Sequence, residues 1–187
     1  MPSERERLLK LLTDLSFQRR EVILASGRRS NFYIDCKQTA LTAEGHYLVG
    51  RLIFEEISKI SGGVDAVAGV TLGGDPLVSS TSLTSYIAGS PIPALIIRKE
   101  LKGHGTEAWI EGLKNVKPGA RVAILEDVIT TGGSTLRACQ KAKEAGLDVV
   151  KVIALVERQE GGRENVEAAG YSMSSLFVKS DFIKDAE

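Results

Sequence analysis

The sequence predicts an α/β protein built on a mostly parallel sheet flanked by helices, and three observations predict it. Four apolar runs rich in Val and Ile come first: residues 64–70 (VDAVAGV), 92–97 (IPALII), 121–127 (RVAILED) and 149–157 (VVKVIALVE). Near-continuous apolarity marks strands covered on both faces, as in a parallel sheet. Helical stretches at about 76–88 and 134–145 separate several of them. Strand–helix alternation of this kind means right-handed crossovers and an open sheet. The third observation is size and composition. The chain has 187 residues, 43% of them hydrophobic and 26% charged, which fits a single globular domain and excludes a disordered, collagenous or coiled-coil class.

The elements follow in order. Ser3 and Glu6 form a capping-box pattern, and Leu8, Leu9, Leu11 and Leu12 fall at helical spacing, so residues 3–14 read as an amphipathic helix. Residues 17–24 (FQRREVIL) and 31–35 (NFYID) read as short strands around an SGRRS turn. Over 43–59, Leu48, Val49, Leu52, Ile53 and Ile57 make one helical face. The apolar runs come next. In an open α/β sheet, ligands bind beyond the carboxyl ends of the strands. Three loops leave those ends, at 71–76 (TLGGDP), 98–112 (RKELKGHGTEAWIEG) and 126–135 (EDVITTGGST). Each combines Gly with charge or hydroxyl.

Charge and cysteine usage bound the partners. Lys+Arg and Asp+Glu both number 24, so the net charge is zero. That argues against whole-surface attraction to nucleic acid or to an anionic membrane. Cys36 and Cys139 are too few for a disulfide framework or a metal-ligand set and suit a reducing compartment. The N-terminal MPSERERLLKLL lacks an apolar signal core, and no apolar run reaches the ~18 residues of a membrane span. The expectation is a cytoplasmic protein.

The third loop carries the chemistry. An apolar strand runs into Glu126 and Asp127, then Val128, Ile129, Thr130, Thr131, Gly132, Gly133 and Ser134 lead into a helix. A Gly-rich strand-to-helix turn presents backbone N–H groups, and the helix dipole favours an anion there. Thr131, Ser134 and Thr135 can add hydroxyl donors. Neither G-x-x-x-x-G-K-[ST] nor G-x-G-x-x-G is present. Two adjacent acids before an anion site make sense if they accept hydrogen bonds from vicinal hydroxyls or sit near Mg²⁺. A ribose 5-phosphate satisfies both halves. The plain alternative is an ordinary strand–helix turn with solvated acids.

EDVITTGGST resembles the phosphoribosyl-diphosphate (PRPP) signature of type I phosphoribosyltransferases. RKELKGHGT with the following IEG is similar to the catalytic loop of the orotate phosphoribosyltransferases. SGRRSNFYID, GVTLGGDPL (69–77) and VERQEGGRENVEAAG (156–170) resemble other segments of that family, in order and over nearly the whole chain. The resemblance implies the type I phosphoribosyltransferase fold, with a small hood over the base pocket formed mainly by about 1–40 and about 157–187. It implies transfer of phosphoribose from PRPP to orotate in pyrimidine biosynthesis, with Mg²⁺, in a homodimer whose sites are shared across the interface.

Residue by residue, the resemblance implies that Arg98 and Lys99 contact PRPP from the same subunit. Lys102 and His104 reach the neighbouring subunit's site. Residues 126–134 form the PRPP loop, with Asp127 near the ribose and a metal-bound water, so no side chain holds the metal directly. Thr130 and Arg158 contact orotate, and Ser26 and Gly27 do so through their backbone. Lys99, Lys102, His104 and Asp127 carry the catalytic roles. Two departures stand out. Ala25 occupies a position held by Lys in some relatives, and Thr71 and Leu72 replace small residues. Trp109 reads as a cover over the closed site or, in preference, over a hydrophobic edge. The rival readings are a transferase for another nucleobase and a PRPP-sensing regulator on the same fold.

Overall fold

A computed structural model describes residues 2–19, 22–23, 29–30, 32–100 and 109–183. Helix α1 (Glu4–Leu11) begins on the expected capping box, with Glu6 N donating to Ser3 Oγ at 3.2 Å and Ser3 N donating to Glu6 Oε2 at 2.7 Å. The helix does not end at residue 14. A wider π-type turn, Leu12–Ser16, continues it and buries Leu12 and Ser16. The Ser16 and Thr39 hydroxyls then meet at 2.7 Å inside the protein, where a buried hydroxyl needs such a partner.

Four two-residue strands follow: β1 (Phe17–Gln18), β2 (Val22–Ile23), β3 (Arg29–Ser30) and β4 (Tyr33–Ile34). They pair antiparallel as two ribbons, β1 with β4 and β2 with β3. Next come α2 (Lys37–Ala40) and α3 (Ala43–Ser58), whose predicted apolar face is buried. The rest of the chain runs β5 (Ala66–Val70), α4 (Gly74–Ile87), β6 (Ala94–Ile97), β7 (Ile110–Glu111), β8 (Arg121–Ile129), α5 (Gly133–Glu144), β9 (Asp148–Glu157), α6 (Gly162–Ala168), β10 (Met173–Val178) and α7 (Lys179–Phe182).

The six-stranded sheet has the order β10-β9-β8-β5-β6-β7, parallel throughout except for the β6–β7 pair. Four of its strands, β5, β6, β8 and β9, are the predicted ones. Their side chains alternate between two cores, as the pleat requires. Val122, Ile124, Val152 and Ala154 enter one, while Ala123, Leu125, Ile153 and Leu155 enter the other. Helices therefore cover both faces, which is why the runs are apolar at most positions. Strands β7 and β10 were not expected. The first is two residues long, and serines interrupt the second. Because β10 pairs parallel with β9, Met173–Val178 belongs to the central sheet, although it falls in the segment expected to lie over the base pocket.

Strand order reverses at β5. The chain leaves it through α4 to β6 on one side, and β8 lies on the other. At such a reversal the two connections diverge and leave a crevice outside the strand ends. Four rings close over the N-terminal ribbon: Phe17 and Phe32 lie 5.0 Å apart, and Phe182 lies 5.9 and 5.8 Å from them and 6.4 Å from Phe177.

Leu125 is fully buried at the centre of β8. Leu125→Ala should lower unfolding free energy by about 2–5 kcal/mol through lost burial plus a cavity. Urea unfolding should show a lower midpoint at an unchanged slope.

Candidate active site

Glu126 and Asp127 are consecutive on β8 and turn to opposite sides. Glu126 is buried toward α5, where its Oε2 accepts from Thr135 Oγ1 at 3.0 Å and from Ser134 Oγ at 3.5 Å. Burial, then the Asp127 charge, pushes its carboxyl up to about 7, against the pull of Thr135, Lys99 and Ser134. Asp127 turns toward α2 and the loop after β5. Its carboxyl is also raised, chiefly by burial, while hydrogen bonding to Val128 N and the Lys37 charge lower it. Gly73 faces it so closely that a Cβ at that position would stand 2.4 Å from the carboxylate. A side chain there would force the Asp127 carboxylate to move.

The expected anion turn follows. Gly132 has φ +80° and caps α5, a conformation that L side chains rarely adopt. The amides of the first turn of α5 have no partner within the helix and point out of its positive end. Asn165 Nδ2 donates to Thr131 O at 3.0 Å and braces the turn from α6. The side chains of Val128 and Ile129 pack into the cores, so these two residues offer only backbone to a ligand. Thr135 departs from expectation. It is fully buried, and its hydroxyl serves Glu126.

A cleft of about 360 Å³ opens at the switch point, lined by Lys37, Val70, Thr71, Leu72, Gly73, Lys99, Glu126, Asp127 and Ser134. A cis peptide joins Thr71 to Leu72. Lys99 and Ser134 also line an adjoining cleft of about 190 Å³ with Arg98, Arg137 and Lys141. Arg98 pairs with Glu111 at 3.5 Å, and its carbonyl accepts from Lys141 Nζ at 2.9 Å. Lys141 Nζ also sits 3.4 Å from the centre of the Trp109 ring. Trp109 packs half-buried against the second core, covering a hydrophobic edge as expected.

Arg158 lies beside the same strand ends. Its N–H donates to Ile129 O at 2.9 Å. Its guanidinium is buried, donates to Phe32 O at 2.9 Å and pairs with Glu160 at 3.0 Å. Phe32 thereby joins the N-terminal ribbon to the end of β9. Arg98, Lys99, the 126–134 loop and Arg158 thus gather along one edge of the sheet. Ser26, Gly27, Lys102 and His104 lie outside the described residues. Lys37, Asn165 and Glu160 went unpredicted at the site. The doubled glycine at 161–162, opening a helix that faces the turn, was the one sequence signal for Asn165.

Comparison with known proteins accords with this geometry. Residues 38–181 match the phosphoribosyl transferase domain family. The chain is 56% identical over 183 residues to an orotate phosphoribosyltransferase of Sorangium cellulosum, covering 98% of this chain and 95% of that protein. It is 43% identical over 183 residues to the Aquifex aeolicus orotate phosphoribosyltransferase, covering 96% and 98%. The crystal structure of Mycobacterium tuberculosis orotate phosphoribosyltransferase in complex with PRPP superposes with a TM-score of 0.78 at 32% identity, covering 96% of this chain and 99% of that one. Fold and site together define a phosphoribosyltransferase. Within that class, the chain belongs to the orotate phosphoribosyltransferase family.

The Glu126 carboxyl makes stability depend on pH. Its folded-state value lies above the ordinary 4.5, so between about 4.5 and about 7 the folded state holds the extra proton. Stability therefore falls as pH rises through that window. Glu126→Gln should remove this dependence and gain on the order of 3 kcal/mol over the parent by pH 8. Denaturant unfolding of both proteins between pH 4 and 8 measures the difference, and parallel curves would refute it.

Proposed function

We propose that this chain transfers the 5-phosphoribosyl group from PRPP to orotate, giving orotidine 5′-monophosphate and pyrophosphate in the synthesis of UMP. One observation carries the reading: a glycine turn at the start of α5, with Asp127 and Glu126 on the adjoining strand, opens into the switch-point cleft. The relatives' names and the PRPP complex of the M. tuberculosis protein support it.

The residues divide the work. The amides and hydroxyls of 130–134 hold the 5-phosphate. Asp127, with the Glu126 oxygen not bonded to Thr135, receives the ribose hydroxyls. Breaking the C1–O bond sends its electron pair to pyrophosphate and leaves positive charge on the ribose, and N1 of ionised orotate supplies the pair for the new C1–N bond. Lys99, Lys102 and His104 surround the leaving group, where preorganised charge stabilises the transition state. Arg98 adds a PRPP contact. Orotate sits against Thr130 and the backbone of Ser26 and Gly27, with Arg158 pairing its acceptors through a planar fork. Residues about 1–40 and the C-terminal segment outside β10 form the hood over it.

The donor set suits Mg²⁺ carried on substrate oxygens and water, with Asp127 beside it. Among the described residues no group of three or more His, Cys, Asp or Glu is arranged to hold a metal. Bound there, Mg²⁺ supplies positive charge to the pyrophosphate. We also read the protein as a cytoplasmic homodimer. Among the described residues no helix is long and apolar enough to cross a membrane. Tyr47, Leu83 and Ile87, each more than half exposed, line a cleft of about 450 Å³ between α3 and α4. An apolar patch of this kind suits a subunit contact.

Loss of orotate absorbance on adding PRPP and Mg²⁺ tests the reading. Adenine, guanine, hypoxanthine and uracil should not replace orotate, and turnover of one of them instead would reassign the enzyme. Lys102→Ala should lower kcat on the order of 10²–10³-fold while PRPP binding changes far less. If the site is shared, mixing Lys102→Ala with Asp127→Ala subunits should restore part of the activity, and none would return after verified exchange if each chain works alone. The affinity for PRPP should rise between pH 6 and 8 as Glu126 loses its proton, measured by calorimetry at each pH.

A further inference from the structure

Lys37 stands in the cleft although no motif in the sequence pointed to it. It opens α2, directly after the N-terminal ribbon, and it lines the cleft opposite Lys99. Among the described residues these two are the only cations on the wall of that cleft, which also holds two carboxylates. A substrate with a pyrophosphate tail brings several negative charges into this space, so each cation on its wall matters.

The side chain is held in place. Lys37 Nζ donates to Asp35 Oδ1 at 2.6 Å, and Asp35 Oδ1 also accepts from Lys37 N at 3.2 Å. Gln38 Nε2 donates to the other Asp35 oxygen at 3.1 Å. Asp35 is thus fixed by the turn that starts α2, and it fixes Lys37 in turn. An ammonium has three donors, and Asp35 takes one. The side chain remains 38% exposed, which leaves room for a ligand at the others. The charged and titratable groups facing it are Asp35, Asp127 and Tyr33, and the hydrogen bond to Asp35 first, with the Asp35, Asp127 and Tyr33 charges, keeps the ammonium protonated.

We propose that Lys37 binds the pyrophosphate of PRPP directly, from the wall formed by α2 and facing the loop Thr71–Gly73. The proposal rests on the phosphoribosyl-transfer reading above and extends it. Lys37 faces Asp127, which leads into the phosphate turn, so in this reading the ammonium meets the ligand beyond the ribose, on the side of the breaking C1–O bond. Lys37 and Lys99 then grip the departing pyrophosphate from two walls.

Calorimetric titration with inorganic pyrophosphate and, separately, with ribose 5-phosphate tests the proposal. Lys37→Gln should weaken pyrophosphate binding about 10–100-fold, the range of one charge-assisted contact. Ribose 5-phosphate affinity should stay within about twofold, since that ligand lacks the tail. Lys37→Arg keeps the charge and should hold pyrophosphate affinity within about threefold of the parent. Pyrophosphate affinity unchanged in Lys37→Gln overturns the proposal. So does an equal loss of both ligands, which would mark Lys37 as a brace for the cleft. Should Lys37→Gln not fold, Lys37→Met, which keeps the aliphatic stem, carries the same expectations. A parent protein that binds neither ligand would instead sink the phosphoribosyl-transfer reading itself.

Discussion

One buried hydrogen bond, from the Thr135 hydroxyl to the Glu126 carboxylate, ties the end of β8 to the first turn of α5. The rest of the site is arranged around that tie. A strand end and a helix start joined by a glycine turn would otherwise pivot about Gly132, whose backbone has no side chain to restrain it. The tie fixes the angle at which the helix's free amides face the cleft. It also explains why one acid of the couple is buried at all. Burying a carboxylate is costly unless hydrogen bonds receive it, and Thr135 and Ser134 do so. Asp127, on the other side of the strand, is left to face the open cleft.

The two acids thus do different jobs despite being neighbours. Side by side on paper, they suggest a symmetric clasp for two hydroxyls. In the fold, Glu126 is half anchor and half acceptor, and Asp127 meets Gly73, Lys37 and the open cleft. A protein with balanced total charge can still concentrate cations where an anion must sit. Arg98, Lys99, Arg137 and Lys141 cluster around one pair of adjoining clefts, with Lys37 on the opposite wall.

Much of this was readable from the residues. The four apolar strands, the helices between them and the Glu126–Ser134 turn all follow from local pattern, because burial on both faces and a glycine-rich turn leave plain signatures. What escaped depends on contacts far apart in sequence. Lys37 reaches Asp127 only because α2 folds against the end of β8. Thr135 reads as a hydroxyl donor to an anion beside Thr131 and Ser134, yet the helix turns it inward. Met173–Val178 alternates too weakly to announce a strand, since Ser174 and Ser175 break the apolar run. Ile110–Glu111 is shorter than any period that could reveal it.

The ring cluster over the N-terminal ribbon has a consequence for biosynthesis. Phe17 and Phe32 rest on Phe182, which meets Phe177 in turn, so the ribbon packs on side chains translated long after its own. The half from β5 to α6 can settle while the ribosome is still at work. The ribbon has to wait for rings that come much later in the chain, across a long loop whose closure costs entropy. A nascent chain therefore forms the glycine turn at the start of α5 before it acquires the ribbon that clamps Arg158.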